Sequence, residues 1–510
     1  MGGLERHHSR PGTGAGQAVA DRTAGSSRMH HTQTNVRALT APFYRGLTDE
    51  QCRLIHGASL EILEHTGVLL YYQPAIDLLK KAGCYVEENR VRIPAHLAEW
   101  ALRTAPSRIT MYDRSGKPAM PLGDRISTFG TGSDCLNILD HRTGERRKAL
   151  LQDVVDGIRV ADAMPHIDFI MSMFLPSDVP VAADVRQMEA MLTYSAKPIC
   201  FVTYEWQGTP EAIEMLEVAV EGADQLRARP TAILYLNPTS GFRHNKEALR
   251  KLMYVAEKHL PCVYWPEVGR GLTCPITFAG GMACSNAGHL AGLVIAQLVN
   301  EGAPVTLCTA VPFSIDMNTM VIPYVDPDCK AYGLEMSHYY NLPAFNWGGM
   351  SDSKLLDEQA IMEATLSLFA ATLNGGNLIH DVGYMESGLT GSLELVVICD
   401  EIISWLKAFM QGLEINEETL ALDVIHEHAL SGDFLGAEHT VRHVREGWGP
   451  RLVDRHNYEG WMASGGTSMR ARARAKIDEI LSAEPRHILP PDVEKRIRTI
   501  AERVVADQTK

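Results

Sequence analysis

The sequence has too little positive charge for a typical nucleic-acid-binding protein. Its 510 residues include 62 acidic and 48 basic ones, which gives a formal net charge of −14 at pH 7. Affinity for phosphate backbones comes mainly from Lys and Arg. The basic cluster Arg470, Arg472, Arg474 and Lys476 lies in a helix-like segment and is predicted to form a solvated face. We therefore expect no nucleic acid among the partners.

Three further absences narrow the class of protein. The ten cysteines include no Cys-x-x-Cys pair, and several lie in strand-like runs, which predicts reduced, buried thiols in a cytoplasmic protein. No apolar run reaches the length of a membrane span, so we expect no membrane partner. Residues 1–40 are rich in Gly, Arg, His, Ser and Thr and lack the apolar core of a signal peptide, which predicts a disordered tail.

What is present, 45% hydrophobic and 22% charged residues, is typical of a globular protein. Residues 41–125 are predicted to form a helical cap. Thr48 and Gln51 have the spacing of a capping box, so a helix should begin after Thr48 and end at Gly67. A second helix is predicted from about residue 94 to residue 104.

From residue 126 the pattern becomes regular, because short apolar runs alternate with long amphipathic stretches. The apolar runs are Ser127–Gly130, Phe169–Phe174, Ile199–Tyr204, Ala232–Leu236, Cys262–Trp265, Val305–Thr309, Ala344–Trp347 and Leu378–Val382. The helical stretches lie at about 148–164, 183–196, 209–228, 245–259, 280–301, 327–341, 355–374 and 392–411. Eight strand-and-helix repeats over residues 126–412 predict a (β/α)8, or TIM, barrel.

A doubly wound parallel sheet is the alternative fold. It would need fewer strands, and it usually carries a Gly-rich phosphate-binding turn after its first strand. The segment Gly130-Thr131-Gly132-Ser133-Asp134 lacks the Gly-x-Gly-x-x-Gly spacing, so the barrel is favoured. Residues 413–510 are predicted to form a mainly helical extension.

The active site of such a barrel lies at the carboxyl ends of its strands. Only 7% of the residues are aromatic, yet nearly every predicted strand ends on one. The candidate substrate-binding residues at these ends are Tyr204, Glu205, Tyr235, Asn237, Trp265, Glu267, Phe313, Trp347, His380, Asp381 and Tyr384. For any one of these aromatic residues taken alone, a role in core packing is a better explanation than a role in substrate binding. Together they predict a cage for a quaternary ammonium, with the carboxylates balancing its charge.

Other chemical motifs are scarce. His439 and His443 have the i, i+4 spacing of two metal ligands on a helix, and His426 and His428 lie nearby. They fall outside the barrel mouth with no cysteine cluster beside them, so a structural or solvent-facing role is favoured and no metal site is predicted. The sequence has no Gly-x-Ser-x-Gly elbow, Walker A loop or His-Glu-x-x-His helix, and we assign no catalytic residue.

Three segments carry a resemblance to a known family. The first runs from Asn346 as NWGGMSDSK and is followed by Asp357 and Gln359. The others are GHLAGLVIAQLVNEGAPV from Gly288 and GDFLGAEHTVRHVREGWGPRLVDR from Gly432. In this order and spacing they resemble the trimethylamine–corrinoid methyltransferase family, over nearly the whole chain after residue 47.

The resemblance implies a TIM barrel that moves a methyl group to a corrinoid. Founding members of the family carry pyrrolysine and demethylate trimethylamine, whereas this sequence contains only the twenty standard residues. It therefore resembles the non-pyrrolysine branch, whose members use quaternary amines such as glycine betaine, related betaines or carnitine. The resemblance also implies that Gly348, Gly349, Ser351 and Asp352 approach the corrinoid or the substrate.

The corrinoid is expected on a separate partner protein that docks at the barrel mouth. The chain lacks the Asp-x-His-x-x-Gly signature of a cobalamin-binding domain, because Asp140-His141 has the wrong spacing. We also expect a homo-oligomer. Two alternatives stay open: a barrel lyase or hydrolase that uses Glu205, Glu267 and His380 as acid and base, and a betaine-binding protein without activity.

Overall fold

The computed structural model describes residues 42–308 and 312–509. The predicted tail at 1–40 lies outside the described residues, and so does Thr309, the last residue of the sixth predicted strand.

The region before residue 126 combines helices with two small sheets. Its helices are Asp49–Glu61 (α1), Gln73–Lys81 (α2) and Ala95–Thr104 (α3), and a π-helical turn, Ile62–Thr66, follows α1. Its strands are Val68–Leu70 (β1), Tyr85–Glu87 (β2), Arg90–Arg92 (β3), Ile109–Tyr112 (β4) and Pro118–Leu122 (β5). The capping box is confirmed, because the Thr48 hydroxyl accepts from the Gln51 N–H and Gln51 Oε1 accepts from the Thr48 N–H. Most of these strands are absent from the sequence prediction.

Fourteen further strands follow in chain order. They are Thr128–Phe129 (β6), Asn137–Leu139 (β7), Arg146–Lys148 (β8), Ile199–Phe201 (β9), Ala232–Leu236 (β10), Arg243–His244 (β11), Cys262–Tyr264 (β12), Val268–Gly269 (β13), Val305–Cys308 (β14), Pro312–Phe313 (β15), Ala344–Trp347 (β16), Leu378–His380 (β17), Tyr384–Met385 (β18) and Thr390–Gly391 (β19). Seven of them form one parallel sheet in the order β6-β17-β16-β14-β12-β10-β9.

Two residues close this sheet into a ring. Phe169 forms a parallel bridge with Gly130 beyond β6, and Ile170 forms one with Ile199 at the start of β9. The second predicted strand is thus reduced to these bridges, and every predicted run occupies its expected place. A closed ring of eight parallel segments with each neighbour next in sequence is a (β/α)8 barrel, which confirms the predicted fold.

The helices around the barrel lie close to the predicted positions. They are Leu151–Ala163 (α4), Ala183–Tyr194 (α5), Gly208–Ala219 (α6), Ala223–Ala228 (α7), Lys246–Glu257 (α8), Phe278–Val299 (α9), Pro327–Tyr332 (α10), Glu335–Tyr339 (α11), Glu358–Leu373 (α12) and Leu393–Phe409 (α13). Two predicted helices are each split in two. The break between α6 and α7 contains Glu221 and Gly222, whose positive φ angles of 63° and 140° end the first helix.

Small residues let helix α9 pack directly on the barrel. A Cβ at Gly288 would lie 2.7 Å from the carbonyl oxygen of Gly241, and one at Gly292 would overlap the ring of Tyr264. These contacts explain why the segment from Gly280 is rich in small residues. Tyr264 is fully buried and donates to or accepts from His244 Nδ1 at 2.5 Å.

The prediction that no segment reaches membrane-spanning length is wrong for α9. Its 22 residues include a window of mean hydropathy 1.3, which by length and composition is enough to cross a membrane. However, 89% of that window is buried inside the protein. A helix that is apolar on all sides is expected in the core of a large barrel, so its burial accounts for its composition.

A second sheet covers the carboxyl ends of the first and last barrel strands. Its order is β18-β19-β7-β8, so it joins the segment after β6 to the segment after β17. The sequence analysis did not predict it. Ion pairs fix its connection to α4, because Arg147 contacts Asp140 at 3.0 Å and Asp153 at 2.7 Å. The sheet therefore holds both chain segments that follow neighbouring barrel strands.

The C-terminal extension is helical. Its helices are Glu417–Leu420 (α14), Leu422–His428 (α15), Glu438–His443 (α16), Tyr458–Ala463 (α17), Met469–Ser482 (α18) and Pro491–Gln508 (α19). The predicted solvated face of α18 is wrong for two of its arginines. Arg470 and Arg474 both pair with Glu394 of α13, whose side chain is fully buried, at 3.2 Å.

Candidate active site

Six aromatic rings form a continuous cluster at the carboxyl ends of the barrel strands. They belong to Tyr235, Trp265, Phe313, Phe345, Trp347 and His380. The Trp347 ring is stacked on those of Trp265 and Phe313, with centroid separations of 5.6 and 5.3 Å. The rings come from β10, β12, β15, β16 and β17 or the residues directly after them. The fold therefore brings together five of the residues predicted for the cage, and Phe345 joins them.

The rings meet because they lie near the carboxyl ends of parallel strands. Tyr235 connects the two halves, since its centroid lies 5.3 Å from that of Phe345 and 6.0 Å from that of Trp265. Phe345 in turn stacks on His380 at 4.2 Å. Parallel strands end at the same edge of the barrel, so residues far apart in sequence meet there.

A buried lysine lies against this cluster. The Nζ atom of Lys330, on α10, is 4.5 Å from the centre of the Trp347 ring and donates a hydrogen bond of 3.0 Å to the Trp347 carbonyl oxygen. Burial lowers the pKa of Lys330 to about 7, although nearby acidic groups, including Asp381 and Asp352, oppose the shift. The face of Trp347 thus already attracts one cationic group of the protein itself.

Two predicted carboxylates flank the rings. Burial raises the pKa of Glu267, and a hydrogen bond with Asn237 partly offsets that shift. Asp381 follows β17 with a φ of 72°, and its Oδ1 lies 2.6 Å from His380 Nδ1. The contact lacks hydrogen-bond geometry, and neither ring nitrogen of His380 has a hydrogen-bond partner among the described residues.

Tyr384 lies beside Asp381, under the loop that follows β6. A Cβ at Gly132 in this loop would overlap both the Asp381 carboxylate and the Tyr384 hydroxyl group. Only a glycine therefore allows the loop to lie this close to the two side chains. Burial raises the pKa of Tyr384 well above its usual value.

Tyr204 and Glu205 lie apart from the cluster. Both are exposed and line a separate surface groove of about 500 Å³, which also contains Asp184 and Lys148. The Tyr204 hydroxyl donates to Asp134 at 2.6 Å, and burial raises the pKa of that carboxyl. Trp347 and Tyr384 are not among the residues that line this groove, and a cavity that they share with Glu205 stays a prediction. Glu267 and His380 do not line the groove either, and their use with Glu205 as an acid–base set stays a prediction.

The two glycines after β16 contact the protein's own chain. A Cβ at Gly348 would lie 3.3 Å from the backbone of α12, and Gly349, with a φ of 79°, lies against Val382. The Gly349 N–H donates to Ser367 at 3.0 Å. Close packing of α12 and the residues after β17 thus explains both glycines. A corrinoid contact at this point stays a prediction.

Ser351 and Asp352 hold loops in place. The Ser351 hydroxyl donates to Glu363 of α12 at 2.6 Å. The Asp352 carboxylate accepts from the Tyr324 N–H at 3.0 Å and from the Ser387 hydroxyl at 2.8 Å. Asp352 therefore anchors the loop between β15 and α10 to the mouth of the barrel.

Tyr324 and Lys330 are the main residues that sequence reasoning missed. The carbonyl oxygen of Tyr324 accepts from Trp347 Nε1 at 3.4 Å, and burial together with the charges of Asp381 and Glu267 raises the pKa of its hydroxyl. Both residues lie between strands, whereas the predicted candidates lie at or near strand ends. Lys330 lies in the mixed segment DPDCKAYGLEM, which also carries three acidic residues, so the local sequence does not mark it as buried.

The arrangement suits the binding of a cation at a site with little water. Stacked ring faces attract a positive charge without hydrogen bonds, and nearby carboxylates add to the attraction. The described mouth residues form no nucleophile–base pair, so covalent catalysis by a side chain is not indicated.

Comparison with known proteins identifies relatives along nearly the whole chain. Residues 14–507 match the family model described as trimethylamine methyltransferase (MTTB). Trimethylamine methyltransferase MttB of Desulfitobacterium hafniense (strain DSM 10664 / DCB-2) is 31% identical over 463 residues, which cover 90% of this chain and 93% of that protein. Glycine betaine methyltransferase of Desulfitobacterium hafniense (strain Y51) is 30% identical over 480 residues, which cover 91% of this chain and 98% of that protein.

These findings define the chain as a methyltransferase built on a (β/α)8 barrel. It belongs to the trimethylamine methyltransferase (MTTB) family, because the family model spans nearly all of its residues. The resemblance drawn from the segments around Gly288, Asn346 and Gly432 is thereby confirmed.

Proposed function

We propose that this enzyme transfers a methyl group from a quaternary amine, such as glycine betaine, a related betaine or carnitine, to the Co(I) corrinoid of a separate protein. The observation that carries the proposal is the aromatic cluster around Trp347 at the barrel mouth. Such a surface selects a permanent cation over a neutral amine. One of the relatives is a glycine betaine methyltransferase, which supports this choice.

The chemistry of a quaternary amine fits a site without a catalytic acid. When the N–CH3 bond breaks, its electron pair stays on nitrogen and the leaving group is a neutral tertiary amine, so no proton is needed. The reduced corrinoid supplies the nucleophile that forms the new bond to the methyl carbon. The task of the side chains is then to hold the N–CH3 bond in line and to exclude water. Stacked, buried rings perform both tasks.

Polar groups at the cluster support a substrate that also carries a carboxylate. The indole N–H of Trp265 and the ring nitrogens of His380 have no hydrogen-bond partner among the described residues, although both side chains are buried. A buried donor without a partner costs about 1–3 kcal/mol. A betaine carboxylate would satisfy such donors.

The loop between β15 and α10 fits the proposed corrinoid partner. Its Met317, Met320 and Val321 are exposed, while its later residue Tyr324 contacts Trp347. Exposed apolar side chains at the edge of an active site are typical of a docking surface. We expect this loop to form part of the surface on which the corrinoid protein docks.

The test compares a quaternary amine with its tertiary product. Glycine betaine and dimethylglycine would be offered to the enzyme with chemically reduced cobalamin, and methylcobalamin formation would be followed by absorbance. Both amines would be offered at a pH where dimethylglycine is unprotonated. We expect rapid transfer from glycine betaine and at least a tenfold slower reaction of dimethylglycine, because the leaving group of the unprotonated tertiary amine would be an unstable amide anion. Equal rates for the two amines would contradict the proposal.

A matched variant separates the aromatic cluster from the surface groove. Glu205→Gln changes an exposed residue of the groove and should leave the transfer rate within about twofold of the wild type, because Glu205 does not contact the rings. Loss of transfer in Glu205→Gln would move the substrate site to the groove.

A further inference from the structure

A cluster of metal-binding side chains lies in the C-terminal extension, away from the barrel mouth. Glu418 of α14 and His439 and His443 of α16 each offer a ligand atom, and these atoms lie within 4.8 Å of one another. We propose that the three side chains bind one divalent transition-metal ion of the zinc class. The site does not depend on the proposed methyl transfer.

The set of ligands points to this class of metal. Two imidazoles and one carboxylate are a known zinc-binding combination, and imidazole also suits Co, Ni and Cu, whereas Mg and Ca prefer oxygen. Zinc bonds of about 2.1 Å at tetrahedral angles place ligand atoms roughly 3.4 Å apart. His443 Nε2 lies 3.1 Å from Glu418 Oε1, so the observed spacing needs only small side-chain adjustments.

The surroundings of the histidines support a metal site. The second ring nitrogen of His443, Nδ1, lies 2.8 Å from the carboxylate of Glu446. A carboxylate behind a ligating histidine fixes its tautomer and raises its basicity. His439 Nε2 lies 3.0 Å from the backbone carbonyl oxygen of Glu418, which restricts that ring as well. The histidine pair is therefore already held in place.

One cation of the protein competes for the same carboxylate. Arg442 contacts Glu418 Oε1 at 2.9 Å. In the metal-free protein, this contact balances the charge of Glu418. Metal binding would weaken it, so removal of the guanidinium should favour the metal.

The position of the cluster suggests what the metal does. The four helices α14, α15, α16 and α17 contain no buried residue among them. Packing therefore contributes little to the order of this segment. The ligands are separated by up to 25 residues, so a metal ion would close a loop between two short helices and stabilise their arrangement.

The experiment measures metal binding to the full-length protein. The chain would be dialysed against a chelator, titrated with Zn²⁺ or Co²⁺ by calorimetry, and analysed for bound metal. We expect each wild-type chain to bind one more metal ion than each His443→Ala chain. Glu446→Gln should bind about tenfold more weakly through loss of the supporting carboxylate, and Arg442→Gln should bind at least as tightly as the wild type.

A histidine outside the cluster provides the control. His426 is exposed on α15, and His426→Ala should keep the full stoichiometry. Equal metal content in His443→Ala and the wild type would overturn the site, because the ion would then bind elsewhere, for example at other histidines or at cysteines. Weaker binding by Arg442→Gln would also contradict the proposed use of Glu418.

Discussion

At the scale of single residues, Trp347 is in the centre of the proposed cation site. It is 2% exposed, stacks on two other rings and contacts the Lys330 ammonium. Its indole therefore serves both the packing of the mouth and the proposed attraction of a substrate. These two roles can be separated by substitution.

Replacing Trp347 by Ala should weaken betaine binding about five- to thirtyfold, which corresponds to a loss of about 1–2 kcal/mol for one ring face. Calorimetric titration with glycine betaine measures the effect. The Trp347→Phe variant retains an aromatic ring, so its affinity for glycine betaine should fall less. Trp206→Ala is the matched control, because Trp206 packs on Tyr254 and Arg250 outside the cluster. Unchanged binding in Trp347→Ala would remove this residue from the site.

Lys330 should make stability depend on pH in a defined direction. Its pKa falls from 10.5 to about 7 on burial. Between these values the unfolded chain holds the proton that the folded chain has lost, so the contribution of Lys330 to stability rises with pH. Below pH 7 Lys330 is protonated in both the folded and the unfolded chain, so the free-energy cost of burying its charge has reached its full value.

We therefore expect Lys330→Met to gain most in free energy of unfolding, relative to wild type, at about pH 6, and to gain less at about pH 9. Urea unfolding at the two values measures the difference between variant and wild type. The same substitution at the exposed Lys354 should show no such trend. A difference that grows with pH would show that Lys330 is not buried as a cation.

At the scale of elements, the loop between β15 and α10 is held by one carboxylate. Asp352 accepts hydrogen bonds from the Tyr324 N–H and the Ser387 hydroxyl, and so connects this loop to the turn after β18. Because the loop contacts Trp347, its position controls access to the rings. The anchor can be removed without a direct change to the cluster.

Asp352→Ala should increase proteolytic cleavage between residues 314 and 325 several-fold, because about 1–3 kcal/mol of hydrogen-bond energy is lost locally. Limited proteolysis followed by mass spectrometry locates the cut. Glu358→Ala, at an exposed position in the first turn of α12, is the control. Equal cleavage in both variants would show that other contacts hold the loop.

At the scale of the whole molecule, the extension is attached to the barrel through a buried charge. Glu394 of α13 is 0% exposed and pairs with Arg470 and Arg474 of α18, whose side chains are 40% and 39% exposed. A buried carboxylate is tolerated only where it is paired. The pairing therefore fixes how α18 lies on α13.

Glu394→Gln should lower the free energy of unfolding by about 1–3 kcal/mol. This is less than the effect of breaking a fully buried ion pair, because both arginines are partly exposed and solvent screens their charge. Urea unfolding measures it. Glu479→Gln is the control, because Glu479 pairs with Lys476 at the surface and should change stability by less than about 0.5 kcal/mol. Equal effects of the two substitutions would contradict a structural role for Glu394.

The eight strands, their order and most helices were predictable from the sequence, because alternating apolar and amphipathic segments follow from backbone geometry and local burial. Five cage residues were predictable for a related reason: strand ends in a barrel share one edge. Their role as substrate ligands stays a prediction.

Only the tertiary structure decided the rest. Lys330 lies at the mouth on the short helix α10, Tyr324 and Gly132 lie there in loops, and Glu418 joins two histidines from another helix. These contacts link residues that are distant in sequence, and no local periodicity encodes them. Tyr204 and Glu205 were predicted for the cage but line the surface groove. The position of a residue near a strand end shows how far along the barrel axis it lies, but not whether its side chain points toward the aromatic cluster. Local sequence patterns therefore determined the strands and helices of the barrel, and packing between distant segments determined which side chains meet at the mouth.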